Sequence, residues 1–261
     1  MSSQPDAVGS SEPPLTHRIR SFVMRAGRMT PGQERGWQDG FPRFGLTLQA
    51  GQLDWDQAFG FVGQRVVEIG FGMGDSLLQM AQADPTAQFI GIEVHRPGVG
   101  RLLSQLLVAE TRNLRVYAED AVEVMEQCLA PNTVDAIHIF FPDPWHKKRH
   151  HKRRLIQPRL VHNLATLLRE DGYLHLATDW VPYAEHMFEV LDAEPLLVNA
   201  AGELATAVPR PDYRPPTKFE RAANGWDMSY RTSFTAGVRD AAAGLHLGLP
   251  LICCLSVLVS L

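Results

Sequence analysis

Cysteine is scarce in this 261-residue chain: Cys128, Cys253 and Cys254 give neither an even count nor a Cys-x-x-Cys pair. That argues against a disulfide-stapled secreted fold and against a structural zinc site, so a reducing, cytoplasmic setting without metal is expected. A secretory leader is also lacking, since Met1 to Pro14 is polar with no apolar core and reads as a disordered tail. No internal repeat is evident. Nor is there an excess of one charge: the net charge is −4 and the pI about 6.2, so any hold on nucleic acid must come from local clustering of cations. A long apolar run appears only at the end, where Ala241 to Leu261 carries no Lys, Arg, Asp or Glu. It approaches the ~20 residues needed to span a bilayer. Pro250, Gly244, Gly248, His246 and the missing aromatic or basic flanks favour a packed or disordered tail over an anchor.

What is present suits one α/β domain with tails, because 45% hydrophobic content over this length can bury a sizeable core. From Arg65 onward, apolar strand-like runs alternate with amphipathic stretches, the pattern of βαβ units around a mostly parallel sheet with helices on both faces. Strands are expected at Arg65–Gly70, Gln88–Val94, Leu114–Glu119, Val134–Phe141, Gly172–Thr178, Leu196–Ala200 and Trp226–Phe234, seven in all. Helical patterns fill Ser76–Ala83 and Pro158–Arg169, with Pro158 suited to a first turn. The expected division is a partly basic tail over 1–40 that orders on RNA, a catalytic domain over 41–234, and an apolar extension over 235–261. Ala205–Asn224, rich in Pro, Arg and Gly, reads as a long functional loop.

The first strand runs into Glu68-Ile69-Gly70-Phe71-Gly72-Met73-Gly74, directly before a helix. Glycines at alternate positions let backbone turn tightly and approach a ligand, with helix N–H groups aimed at the same crevice. A dinucleotide fingerprint counted from Gly70 needs a small residue where Asp75 stands, which weakens a nicotinamide assignment. The spacing instead resembles the E/D-x-G-x-G-x-G motif of S-adenosylmethionine-dependent methyltransferases. Glu93 follows about 20 residues later, the distance at which a carboxylate holds a ribose, and Asp120 closes the third strand. Singly, each acid is an ordinary strand end or helix N-cap. Three acids on successive carboxyl ends favour one shared crevice.

After the fourth strand comes Phe141-Pro142-Asp143-Pro144-Trp145-His146-Lys147-Lys148-Arg149-His150-His151-Lys152-Arg153-Arg154. The two prolines fix Asp143 in an extended exit beside the crevice. The basic run from Lys147 to Arg154 is a solvated face on its own, but its position suits a grip on phosphates, while Trp145 contacts a base or packs beneath the loop.

This motif resembles the signature of the tRNA (guanine-N7-)-methyltransferases, in their bacterial single-chain form. Arg20–Thr30 near the start and Thr217-Lys218-Phe219-Glu220-Arg221 near the end are similar to the same family. The resemblance implies a class I, Rossmann-like methyltransferase that uses S-adenosylmethionine to methylate N7 of a tRNA guanine, the variable-loop guanine at tRNA position 46. It implies that Glu68, Gly70, Gly72, Gly74, Glu93, Asp120 and Asp143 bind the cofactor, with Asp143 also catalytic. Lys147, Asp179, Thr217, Lys218, Phe219 and Glu220 would bind substrate, and Arg149, His150, His151, Lys152, Arg153 and Arg154 would interact with RNA. The implied partner is tRNA alone, bound by a monomer or homodimer. An oxidoreductase or a non-catalytic RNA-binding subunit is disfavoured by Asp75 and by the retained acids respectively. Family members stop soon after the strand matching Trp226–Arg231, whereas this chain continues from Thr235 to Leu261.

Overall fold

The computed structural model describes residues 27–109, 111–200 and 210–216, and the backbone of 232–238. Its strands are β1 (Gly45–Leu46), β2 (Arg65–Ile69), β3 (Gln88–Ile92), β4 (Leu114–Tyr117), β5 (Val134–Phe140), β6 (Leu168–Thr178), β7 (Leu197–Asn199) and β8 (Thr232–Val238). Its helices are α1 (Pro31–Phe44), α2 (Trp55–Phe59), α3 (Asp75–Ala83), α4 (Arg96–Ala109), α5 (Ala121–Gln127), α6 (Pro158–Leu167) and α7 (Val181–Asp192). The strands form one sheet in the order β1-β4-β3-β2-β5-β6-β8-β7, parallel except where β8 runs between β6 and β7. All seven expected strands are present, and the two-residue β1 adds an edge. The last expected strand began at Trp226, outside the described residues, and the observed one runs on to Val238.

Strand burial explains the parallel core. Side chains alternate between two apolar layers: Val67, Ile69, Ile90, Ile137, Leu174 and Leu176 face α2, α5, α6 and α7, while Val66, Phe89, Val116 and Ala136 face α1, α3 and α4. Chain order reverses between β2 and β5: successive strands step outward to β3 and β4, and the chain then returns to the other side of β2. In open α/β sheets ligands bind outside the carboxyl ends at this point.

Both expected domain boundaries fall within secondary-structure elements. Position 41 falls inside α1, whose N-terminus is closed by a capping box between Thr30 and Gln33 with Pro31 following. Gly36 and Gly40 make α1 a weak helix on propensity, yet they let it lie directly on α4, where any Cβ at Gly36 would strike the backbone of Gly100. Position 234 falls inside β8, whose Ala236 and Gly237 pair with β6. Among the described residues no helix is long and apolar enough to cross a membrane, and the run from Ala241 lies outside them.

Candidate active site

The turn after β2 is left-handed at Gly70 (φ 77°), Gly72 (φ 59°) and Gly74 (φ 80°). Nothing lies within 4 Å of where a Cβ at Gly70 or Gly72 would stand, so the turn presents bare backbone to an open crevice. Glu93, one residue beyond β3, spans the crevice floor: its carboxylate accepts from the Gly72 N–H at 2.9 Å and the His95 N–H at 2.9 Å. Two backbone donors per carboxylate leave lone pairs for hydroxyl groups of a ligand. Asp120 sits at the carboxyl end of β4 and caps α5, accepting from the Val122 N–H at 2.9 Å. Capping occupies one of its oxygens and does not remove it from the edge.

Glu68 is the most buried of these three acids. It is 3% exposed, and its Oε2 has no hydrogen-bond partner among the described residues. Burial pushes its carboxyl up to about 8, with the Glu93 charge adding to the rise and the Arg214 guanidinium opposing it. A buried acid oxygen with spare capacity beside a cleft is a receptor for a polar or cationic ligand.

Across the switch point, β5 ends at Phe140 and the chain turns through Phe141 (φ 51°) and Trp145 (φ 46°). Between them, exposed Asp143 accepts from the Trp145 N–H at 3.0 Å, which orients its carboxylate. Asp179 stands exposed at the end of β6, on the same edge. It does not cap the next helix, since Trp180 holds the N-cap position of α7 and no side chain caps it. Asp143 and Asp179 thus follow the carboxyl ends of β5 and β6, Glu93 and Asp120 follow those of β3 and β4, and Glu68 lies near that of β2.

Comparison with known proteins gives this arrangement a family. Residues 63–229 match the model of the family described as "Putative methyltransferase". The tRNA (guanine-N(7)-)-methyltransferase of Pseudomonas entomophila is 51% identical over 234 residues, covering 85% of this chain and 97% of that protein. Its counterpart in Burkholderia ambifaria is 54% identical over 224 residues, covering 84% and 87%. This chain belongs to the tRNA (guanine-N(7)-)-methyltransferase family. The solved 16S rRNA methyltransferase KamB matches the fold at a TM-score of 0.51 with 13% identity, over 71% of this chain and 92% of that one.

The methyl donor is S-adenosylmethionine. The crevice fits it: bare glycine backbone admits close approach, Glu93 and Asp120 offer acceptors for hydroxyls and amines, and Glu68 has an unfilled acceptor. Among the described residues no cluster could hold a metal ion.

In this tRNA (guanine-N(7)-)-methyltransferase family member the basic run forms a short 3-10 turn over Lys148–Arg153, with Lys147 at its start. Lys147, Lys148, Arg149 and Lys152 are exposed, while His150, His151 and Arg153 are half-buried. Trp145 packs beneath the turn, with the Arg153 guanidinium 5.1 Å from its ring and His150 edge-on at 5.7 Å. Desolvation, with the charges of Arg149, Arg153, Lys147 and Lys152 adding to it, holds the His150 ring below its usual range. Arg154 corrects the expectation of a run that faces RNA throughout. It is 4% exposed, its Nε–H donates to the Pro144 carbonyl at 3.0 Å, and it stacks 4.8 Å from the Tyr183 ring. It braces the Asp143 turn from within. Thr217, Lys218, Phe219 and Glu220 lie outside the described residues.

A row of polar side chains escaped the sequence. Glu68, His138 and His175 lie side by side on β2, β5 and β6. His138 shows in sequence only as one polar residue inside an apolar strand; its neighbours depend on register, which sequence does not display.

Proposed function

We propose that this chain transfers a methyl group from S-adenosylmethionine to N7 of guanine in tRNA, at the variable-loop guanine at position 46. The observation that carries this reading is the juxtaposition, at one switch point, of an acid-lined glycine crevice with an exposed Asp143 turn that leads directly into a cationic surface. The relatives bearing that activity in their names support the guanine and the tRNA.

Guanine N7 carries a lone pair and no proton, so a new C–N bond forms as the C–S electron pair returns to sulfur, and no general base is required. The bound donor supplies an electrophilic methyl group on a sulfonium. The remaining work is positioning and charge. Glu68, Glu93 and Asp120, with the backbone of Gly70, Gly72 and Gly74, would hold the donor. Asp143 faces the purine, accepts from its N1–H and exocyclic amine, and offsets positive charge as it moves onto the ring. Asp179, with Thr217, Lys218, Phe219 and Glu220, completes the seat for a base splayed out of its stack. Lys147, Arg149, His150, His151, Lys152 and Arg153 hold the phosphate backbone, and Arg154 supports them from inside.

The test is incubation with unmodified tRNA and labelled donor, then borohydride–aniline cleavage. Scission at the variable-loop guanine is expected, and a transcript with adenine there should take no label. Scission at another guanine overturns the position, and labelling of protein or small molecules alone overturns the activity.

A further inference from the structure

The two halves of the β2–β5–β6 sheet face are covered differently. Helices α1, α3 and α4 lie over β2, β3 and β4. Over β5 and β6 the same face carries His138, Tyr173 and His175, and the segment 210–216 lies on them. That segment turns on itself through a hydrogen bond from the Arg214 N–H to the Pro211 carbonyl at 3.1 Å. The Tyr213 hydroxyl meets His175 Nδ1 at 2.6 Å, and its ring stacks on His138 with centroids 5.6 Å apart. The guanidinium of Arg214, only 2% exposed, lies 5.3 Å from the Phe140 ring and 5.6 Å from the Phe141 ring.

These contacts converge on the two walls of the crevice. Phe141 holds a left-handed backbone that an aromatic residue rarely adopts, and Asp143 is two residues further on. Arg214 stacks on the Phe141 ring. Arg214 lies within electrostatic reach of Glu68 on the donor side, where its charge opposes the rise that burial imposes on the Glu68 carboxyl. Burial and the Arg214 charge hold His138 and His175 well below the usual histidine range, so both rings are neutral and His175 is free to take part in the Tyr213 hydrogen bond.

We propose that Tyr213 and Arg214 are positioning residues for methyl transfer: segment 210–216 is a buttress that ties the Phe141 turn, and with it Asp143, to the Glu68 wall of the donor crevice. Neither residue touches the reacting atoms. Arg214 holds the turn, and the Tyr213–His175 hydrogen bond holds Arg214. The inference rests on the functional reading above, since Asp143 matters only if the methyl passes beside it.

The test compares full-length chain with its Arg214→Lys and Tyr213→Phe variants. Lysine keeps the charge and loses the flat stack on two rings; phenylalanine keeps the ring and loses one hydroxyl. Misplacing a catalytic turn by a fraction of an ångström is expected to lower kcat for tRNA methylation roughly ten- to a hundredfold in Arg214→Lys. Loss of one hydrogen bond is expected to lower it roughly three- to tenfold in Tyr213→Phe. In both, KM for tRNA should stay within about twofold of the unaltered chain, since the phosphate contacts are untouched. Unchanged kcat in both variants overturns the inference, as does a fall in activity that only tracks a lower melting temperature. Should Arg214→Lys not fold, Tyr213→Phe decides the matter by the same criteria. Failure of the unaltered chain to methylate tRNA overturns the functional reading and this inference together, whereas an active chain with indifferent variants overturns the inference alone.

Discussion

The turn after β2 and the turn after β5 are neighbours on one sheet edge, and both run through left-handed backbone, yet they reach it by opposite means. The first uses Gly70, Gly72 and Gly74, for which that conformation carries no steric penalty. The second uses Phe141 and Trp145, for which it does, and the shape persists because Arg214 stacks on one ring while Arg153 and His150 pack on the other. A backbone that shapes itself suits a cofactor bound in every turnover. A backbone held from outside places one carboxylate and depends on distant residues to keep it there.

The comparison breaks most sharply at Asp143. Replacement by Asn keeps the volume and removes the charge that the proposed function has Asp143 offer to the purine; the single-turnover rate constant should fall about a hundredfold or more, with donor affinity far less affected. Equal losses in kcat and donor affinity would place Asp143 with the first turn instead of the second.

Next in size is the pH dependence of stability, where the two sides carry opposite signs. Glu68, raised from 4.5 to about 8, is stabilising in its protonated form: its contribution is full below pH 4.5 and is lost as pH rises toward 8. His138, lowered from 6.5 to about 3, is the reverse: its contribution is full above pH 6.5 and is lost as pH falls toward 3. Between pH 6.5 and 8 only Glu68 acts, and urea denaturation should show a loss of about 2 kcal/mol that Glu68→Gln abolishes. Below pH 6.5, His138→Gln should make the acid decline shallower.

Smaller effects separate the two backbones directly. Gly72→Ala should lower stability by about 1–2 kcal/mol, because a Cβ is disfavoured at this φ, and should weaken donor binding by intruding on the crevice. At position 141 the order reverses: both Phe141→Ala and Phe141→Gly lose the ring contact, but glycine relieves the strain, so the unfolding free energy of the Gly variant should exceed that of the Ala variant by about 1 kcal/mol. The smallest change is expected from Lys148→Ala with Lys152→Ala, exposed cations beyond the second turn. Filter binding should show weaker tRNA affinity and a salt slope reduced by roughly one to two.

The same contrast accounts for what was legible in the sequence. The glycine turn announces itself, because its spacing is its geometry, and strands β2 to β5 lie within a few residues of their expected bounds for the same local reason. The second turn shows its prolines and Asp143, but the support for Phe141 comes from Arg214, 73 positions later, and no local pattern encodes that pairing. Arg154 illustrates a related limit. In a run of like charges nothing distinguishes the one side chain that a 3-10 turn directs inward onto Tyr183. Helix α1 lies largely within the expected tail; Gly36, Gly40 and Pro42 depress its propensity, and the same glycines let it pack closely on α4.

That packing bears on how the chain has room to drift. Helix α4 is pressed on two sides: Gly100 meets Gly36 of α1, while Gly98 meets the Gly72 carbonyl and Leu102 fills the space beside Gly74. One added methyl at Gly36, Gly98 or Gly100 would push α4 away from one neighbour and into the other. Change at these positions can therefore survive only in concert, so that the N-terminal helix and the glycine turn, remote in function, must evolve as one unit.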